Sequence, residues 1–262
     1  LSKKERKQKR EELKAQRKLR DASDRAPSEE SEHKVSGALR TWNSTEPPSE
    51  HTPTALYLRK RGFTGEIPET IRHAAALPYW TASSNNKLVE VGRFPALVAK
   101  VETPDGEHMA VHRIYLDGSG NKAEIIVDGQ HQPIKKLQGS SKGAVIKLSG
   151  TGSALALTEG IETGLAILEA RSDLAVWATI STSGLEGVEV PETFEEIIIC
   201  ADNDRSGAGL KSAVKAATRL NDAGRPVHIV LPPPPSRDEK SSDFNDVLLQ
   251  DGAEAVQSTL AK

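Results

Sequence analysis

Two stretches decide how this chain reads: ALALTEGIETGLAILEA, Ala154–Ala170, and EIIICADNDRSGAGLKSA, Glu196–Ala213. Each opens on a short apolar run of strand length, passes through a Gly-bearing acidic segment, and continues with apolar residues at helical spacing. ALALT reads as a strand and EGIETGLAILEAR as the helix after it. EEIIICA reads as a second strand, followed by a helix over RSGAGLKSAVKAATRLNDAG with Gly224 as its C-terminal stop. Between them AVWATI is a strand, and beyond them VHIVLP is another, closed by the Pro232–Pro235 run. DFNDVLLQ and GAEAVQSTLA end the region as helices. Strands alternating with helices imply βαβ units and a mostly parallel sheet.

In open sheets of this kind ligands bind outside the carboxyl ends of the strands. Glu159 follows ALALT directly, and Asp202 and Asp204 follow EEIIICA. If those strands are neighbours, three carboxylates converge on one crevice edge. Mg²⁺ suits such a set, because it takes one or two carboxylates and completes its shell with waters and substrate phosphates; Mn²⁺ is the alternative occupant. Clustered carboxylates also repel one another until a cation neutralises them. Gly160, Gly164, Gly207 and Gly209 leave room for close approach, and the helix after Asp204 aims its N-terminus at the site. Structural roles are open to the same residues: Asp204 or Ser206 as a helix cap, Glu159 in its own helix's first turn.

Further out, PALVAKVETPDGEHMAVHRIYLDGSGNKAEIIV, Pro95–Val127, alternates apolar and polar residues around turn signals at Pro104–Gly106 and Asp117–Gly120, the pattern of an antiparallel meander. GAVIKL, Gly143–Leu148, reads as one more strand of it. TALYLRKRG is a short helix, ETIRHAA after Pro68 another helical turn, and Ser44–Pro53 a polar linker. From Leu1 to Arg20 ten Lys and Arg stand against three acids, so this segment carries +7 and leaves −9 on the rest of a chain with net charge −2. Such an arm reads either as a phosphate-tracking element or as a solvated, disordered or helical linker. The expected division is a basic arm over 1–35, an α+β unit over 36–150, and a mostly parallel α/β unit over 151–262.

Several chemistries are excluded. The single cysteine, Cys200, allows no intrachain disulfide and no zinc site built on paired cysteines. No run approaches the roughly 18 apolar residues of a membrane span and no signal peptide is visible, so a soluble, cytoplasmic protein is the default expectation. GSSKGAV lacks P-loop spacing, the seven His are scattered, and there is no G-x-S-x-G.

The Glu-Gly pair after a first strand and the Asp-x-Asp after a later one resemble the Toprim domain, shared by bacterial-type primases, type IA and type II topoisomerases and some nucleases. ATISTSGLEG, Ala178–Gly187, resembles the intervening Toprim strand and its turn, which places Gly184 near the site. From about Leu39 the chain is also similar to phage and plasmid Toprim primases and primase-helicases, in which HRIYL, NKAEI, GAVIKL and a late DFNDVL recur in this order. The resemblance implies Glu159 for acid/base work or metal binding, and Asp202 and Asp204 as Mg²⁺ ligands. It adds Asp243 or Asp246 as a late acidic ligand, with Asp243 equally suited to cap the last helices. Nucleic-acid or nucleotide contacts fall to Arg113, Lys122, Lys147 and Arg205: Arg113 because an inward Arg on a strand needs an anionic partner, Arg205 because it follows the acidic pair.

The function implied is a DNA primase-like, Mg²⁺-dependent nucleotidyltransferase of phage/plasmid-type replication, joining nucleotides on a single-stranded DNA template. A replicative helicase or zinc-binding module would lie on another chain or a removed segment. A Toprim nuclease and a non-catalytic Toprim module binding DNA or a replication partner are the alternatives. The topoisomerases of the family need a Tyr nucleophile in a large separate domain, for which this chain has no room.

Overall fold

The computed structural model describes residues 29–82, 87–150 and 152–261, so the basic run Leu1–Arg20 lies outside the described residues. The first described helix, α1 (Glu29–Asn43), runs past residue 35, and α2 (Pro53–Lys60) follows it. Thr52 caps α2, its hydroxyl accepting from Ala55 N–H, and Pro53 fits the first turn, where its missing N–H costs nothing.

The meander forms as its alternation requires. β1 (Ile71–Ala82), β2 (Leu88–Glu102), β3 (His108–Tyr115) and β4 (Lys135–Gly139) make an antiparallel sheet in the order β1-β2-β3-β4. Two expectations are corrected here. ETIRHAA is no helical turn: from Ile71 it is β1, with Ile71 opposite Ala99 and His73 opposite Leu97. Pairing with β2 overrides the helix preference of its alanines. GAVIKL does not belong to the meander either. β5 (Ile146–Ser149) pairs antiparallel with a strand of the second sheet, because an isolated apolar strand carries no record of which edge it will complete.

The second sheet contains β6 (Ala154–Thr158), β7 (Ala175–Ala178), β8 (Glu196–Cys200) and β9 (Val227–Val230), in the order β9-β8-β6-β7-β5. All neighbours are parallel except β5 on β7. Around it run α3 (Ile161–Ala170), the short α4 (Thr182–Gly187), α5 (Ala208–Asp222), α6 (Phe244–Asp251) and α7 (Ala253–Leu260). The architecture is therefore α/β, a parallel-dominated sheet flanked by helices and preceded by an antiparallel one.

The period of two sorts each strand's side chains. Leu155, Leu157, Ile197 and Ile199 face a core closed by Ala213 and Leu220 of α5. Ala156, Ile198 and Cys200 face the opposite way, into a core shared with Leu97 and Ile114 of the first sheet, Leu165 of α3 and Phe244 of α6. The far side of the first sheet packs Val98, Val111 and Tyr115 against Ala38 of α1. One core thus joins the two sheets and fixes the first against the carboxyl edge of the second. Among the described residues no helix is long and apolar enough to cross a membrane.

Candidate active site

β6 and β8 are neighbours, with Thr158 opposite Cys200, so Glu159 and Asp202 leave the sheet at adjacent strand ends. Both line a cavity of about 260 Å³ whose other acidic members are Asp243 and Glu162. Its basic members are Arg61, Lys122 and Lys135, and His112 and Asn245 also border it. Lys122 and Lys135 come from the connection after β3 and from the start of β4. The first sheet therefore delivers cations to a place where the second delivers carboxylates.

Three of these carboxylates, Asp202, Glu159 and Asp243, hold protons more tightly than usual. Asp202 is pushed up to about 7, chiefly by burial and then by Asp243 and Glu159, against the pull of a side-chain hydrogen bond from Thr163. Its Oδ1 is buried without a hydrogen-bond partner. Glu159 is raised by burial and by Asp204, with Lys135 pulling the other way. Asp243 is raised by burial, against the pull of the Asp246 backbone N–H, while the Asp246 charge pushes it up. Lys122 shifts oppositely, lowered by burial and by Lys135 and Arg61 against the pull of Glu162. Acids that resist ionisation beside a cation that resists protonation are both relieved by a ligand pairing a metal ion with an anion.

Asp204 does not line this cavity. It accepts from Gly209 N–H at 2.8 Å, from Ala208 N–H at 3.2 Å and from the Ser206 hydroxyl, which together hold it down at about 2. It thus closes the first turn of α5, where Gly207 (φ 68°) provides the left-handed entry. A Cβ on Gly209 would stand 2.6 Å from the Asp202 carbonyl oxygen, and one on Gly184 2.0 Å from that of Thr179. Gly160 caps α3, and a Cβ there would meet nothing closer than 3.6 Å. Ile180, on the cavity wall, holds φ at 73°, a strained value for a β-branched residue, while its N–H donates to the Glu159 carbonyl.

Asp243 and Asp246 form a capping box on α6: Asp246 N–H donates to Asp243 Oδ1 at 2.9 Å, and Asp243 N–H to Asp246 Oδ2 at 3.0 Å. Asp243 caps and borders the cavity at once, whereas Asp246 turns back onto the helix start. Arg205 is engaged as well, its guanidinium donating to the carbonyls of Glu239 and Ser236.

Two expected anion contacts are corrected. Arg113 sits on the face of β3 that carries Val111 and Tyr115, away from the cavity, with its guanidinium over the Tyr115 ring. The alternation of the strand presents His112 to the cavity instead. Lys147 does not reach it either: its ammonium donates to the Pro104 carbonyl at 2.8 Å and lies 3.2 Å from buried Glu102. Lys122 alone of the four expected contacts lines the cavity.

Sequence reasoning passed over Glu162, Tyr57 and His112. Glu162 is buried, and although burial opposes its ionisation, Lys135 and the Tyr57 hydroxyl outweigh that and hold it at about 2. A charged residue inside the apolar helical run IETGLAIL is the signal that marks it. His112 is held neutral by burial and by Lys135, pushed down to about 4, and its Nδ1 has no partner.

Among the described residues no three His, Cys, Asp or Glu side chains are grouped so as to hold a metal by themselves. The donor set still fits Mg²⁺, which asks for one or two carboxylates rather than a closed cage, and the unpartnered Asp202 Oδ1 is an oxygen free to serve.

Residues 154–254 match the Toprim domain family, and residues 32–148 match a domain of unknown function (DUF7146). No curated protein matches the chain. Among solved structures, the DnaG primase catalytic domain bound to ssDNA aligns at TM-score 0.56 and 15% identity, over 87% of this chain and 79% of that one. The DnaG catalytic core aligns at 0.52 and 16%, over 87% and 78%. The primase fragment of the bacteriophage T7 primase-helicase protein aligns at 0.46 and 21%, and the chain spans 63% of that fragment while 64% of the chain is covered. At these identities the likeness is one of fold.

Proposed function

We propose, from the Toprim domain formed by residues 154–254, that this chain is a Mg²⁺-dependent nucleotidyltransferase of the primase kind, joining nucleotides on single-stranded DNA. The observation that carries the reading is the cavity at the carboxyl edge of β6 and β8, which takes Glu159, Asp202 and Asp243 from one side of the chain and Lys122 and Lys135 from the other. Phosphoryl transfer asks a protein mostly for positioning and charge stabilisation, and this set of side chains provides both. The division into units 36–150 and 151–262 belongs to the same proposal, and so do a helicase or zinc-binding partner.

Asp202 and Asp243 would hold the divalent ion, leaving Glu159 beside them, with Asp204 ordering the start of α5. When bound, the ion neutralises phosphate charge and lowers the barrier to attack at phosphorus. Lys122 and Lys135 screen the triphosphate. Glu159, its proton affinity raised by burial, is suited to take the proton from the attacking 3′-hydroxyl as the bond to the α-phosphorus forms and pyrophosphate leaves. His112, neutral, adds a polar contact without adding charge.

One observation favours a second reading, a non-catalytic DNA- or partner-binding module: Asp204 is occupied in capping α5. Labelled ribonucleotides incubated with single-stranded DNA, Mg²⁺ and the protein separate the readings. Short oligomers made by the unsubstituted protein and not by Asp202→Asn support nucleotidyl transfer. Intact DNA with no oligomers supports the module, and shortened DNA without added nucleotides indicates a nuclease on the same carboxylates.

A further inference from the structure

Glu162, the second residue of α3, borders the same cavity as Glu159 and is only 7% exposed. The Tyr57 hydroxyl donates to its Oε1 at 2.7 Å, Lys135 Nζ lies 2.7 Å from the same oxygen, and Lys122 Nζ lies 3.8 Å away. All three partners come from the chain before β5: Tyr57 from α2, Lys122 from the connection after β3, Lys135 from the start of β4. A buried carboxylate requires a cation and hydrogen bonds. This one has a hydroxyl donor and two cations, so the cluster keeps a unit of positive charge on the cavity wall, and Arg61 adds another. A contact made for stability alone would be complete with one lysine.

We infer that Glu162, backed by Tyr57, is a positioning residue that anchors Lys135 and Lys122 side by side to receive the polyphosphate of an incoming nucleotide. The inference rests on the nucleotidyl-transfer reading above. An ammonium has three donors on a flexible stem. When one donor is tied to a fixed carboxylate, the others point in set directions into the cavity. The carboxylate belongs to α3 and the lysines to the first sheet, so the anchor also sets the cationic groups in register with Glu159 on the strand end next to it.

Glu162 is itself negative, which makes the inference testable by sign. If it acted only through charge, its neutralisation would tighten anion binding. If it positions the lysines, neutralisation loosens binding. Calorimetric titration of the full chain with inorganic tripolyphosphate decides, at a temperature where circular dichroism shows every variant folded. Tyr57→Phe and Glu162→Gln should each weaken binding about tenfold, the scale of a charge-assisted hydrogen bond. Lys135→Gln should weaken it further and lower the salt dependence by about one unit, whereas Tyr57→Phe, which keeps both lysines, should leave that dependence alone.

Unchanged affinity in Tyr57→Phe, tighter binding in Glu162→Gln, or no binding by the unsubstituted protein would each overturn the anchor. If Glu162→Gln does not fold, Tyr57→Phe decides by itself. Oligomer synthesis by the same proteins is read separately. Tripolyphosphate binding that depends on Tyr57 without any synthesis removes the transfer reading and leaves the anchor. Synthesis with binding indifferent to Tyr57 does the reverse.

Discussion

Asp243 raises the proton affinity of Asp202: with burial as the larger cause, the two carboxyls at one cavity drive Asp202 up to about 7 from an ordinary value of 3.8. A raised carboxyl favours the protonated fold. Its contribution to stability is complete below the unfolded value and disappears as pH rises through the folded one. Without divalent ions, thermal unfolding should therefore show a melting temperature that falls between about pH 4 and 7 and levels off above that. Glu159 and Asp243 shift in the same direction and steepen the fall. Mg²⁺ should restore stability at pH 8, and Asp202→Asn should flatten the profile.

Glu162 gives the largest predicted loss of stability. Glu162→Ala leaves Lys135 and Lys122 without their buried counter-ion and Tyr57 without its acceptor. Denaturant unfolding should show a cost of roughly 3 kcal/mol, the upper end for leaving a buried group such as the Tyr57 hydroxyl unpaired, because the two lysines, 41% and 39% exposed, regain water.

Lys147→Met separates a structural lysine from those at the cavity. It removes one of two cations from Glu102 and leaves Lys100, 2.5 Å away, in place. Stability should drop by about 1–3 kcal/mol, while tripolyphosphate affinity stays at the unsubstituted level. A loss of affinity equal to that of Lys135→Gln would return Lys147 to the anion site.

Asp204 has a capping contribution and a charge contribution, and two substitutions divide them. Asp204→Asn keeps an acceptor for only one of the Gly209 and Ala208 N–H groups, which bond different carboxylate oxygens, so its melting temperature should fall, though less than that of Asp204→Ala. Asp204→Ala should lose about 1 kcal/mol, the typical value of a helix cap. If the charge serves the reaction, both variants lose oligomer synthesis alike. If Asp204 only caps, Asp204→Asn retains it.

Gly184 should tolerate no side chain. An alanine Cβ there would stand 2.0 Å from the Thr179 carbonyl oxygen, which is backbone and has little room to yield. Gly184→Ala is expected to lower soluble yield and melting temperature sharply, whereas Gly187→Ala, three residues on and with open space around it, should cost little.

Much of the fold was legible because apolar runs and Gly stops are local signals. ALALT and EEIIICA became adjacent strands, and Gly224, at φ 80°, follows the end of α5. The parts that were not legible depend on partners far along the chain. β5 looked like the meander because its sequence does not name the edge it joins. Arg113 and His112 are consecutive, and only the orientation of the strand decides which of them meets the cavity. The Tyr57–Glu162 bond spans 105 residues, and nothing near either residue announces the other. Of the carboxylates, Glu159 and Asp202 could be read from their places at strand ends, but the capping alternatives for Asp204 and Asp243 could be resolved only by seeing their hydrogen bonds. Both do cap.

The central claim is that Asp202 and Asp243 form a divalent-cation site beside Glu159 and the lysines at the cavity. Mn²⁺ titration followed by electron paramagnetic resonance tests it without requiring turnover. The account predicts saturable binding by the unsubstituted protein, strengthened by tripolyphosphate and lost in Asp202→Asn and Asp243→Asn variants that remain folded. Binding of equal strength in all three proteins, or none in any, would contradict it.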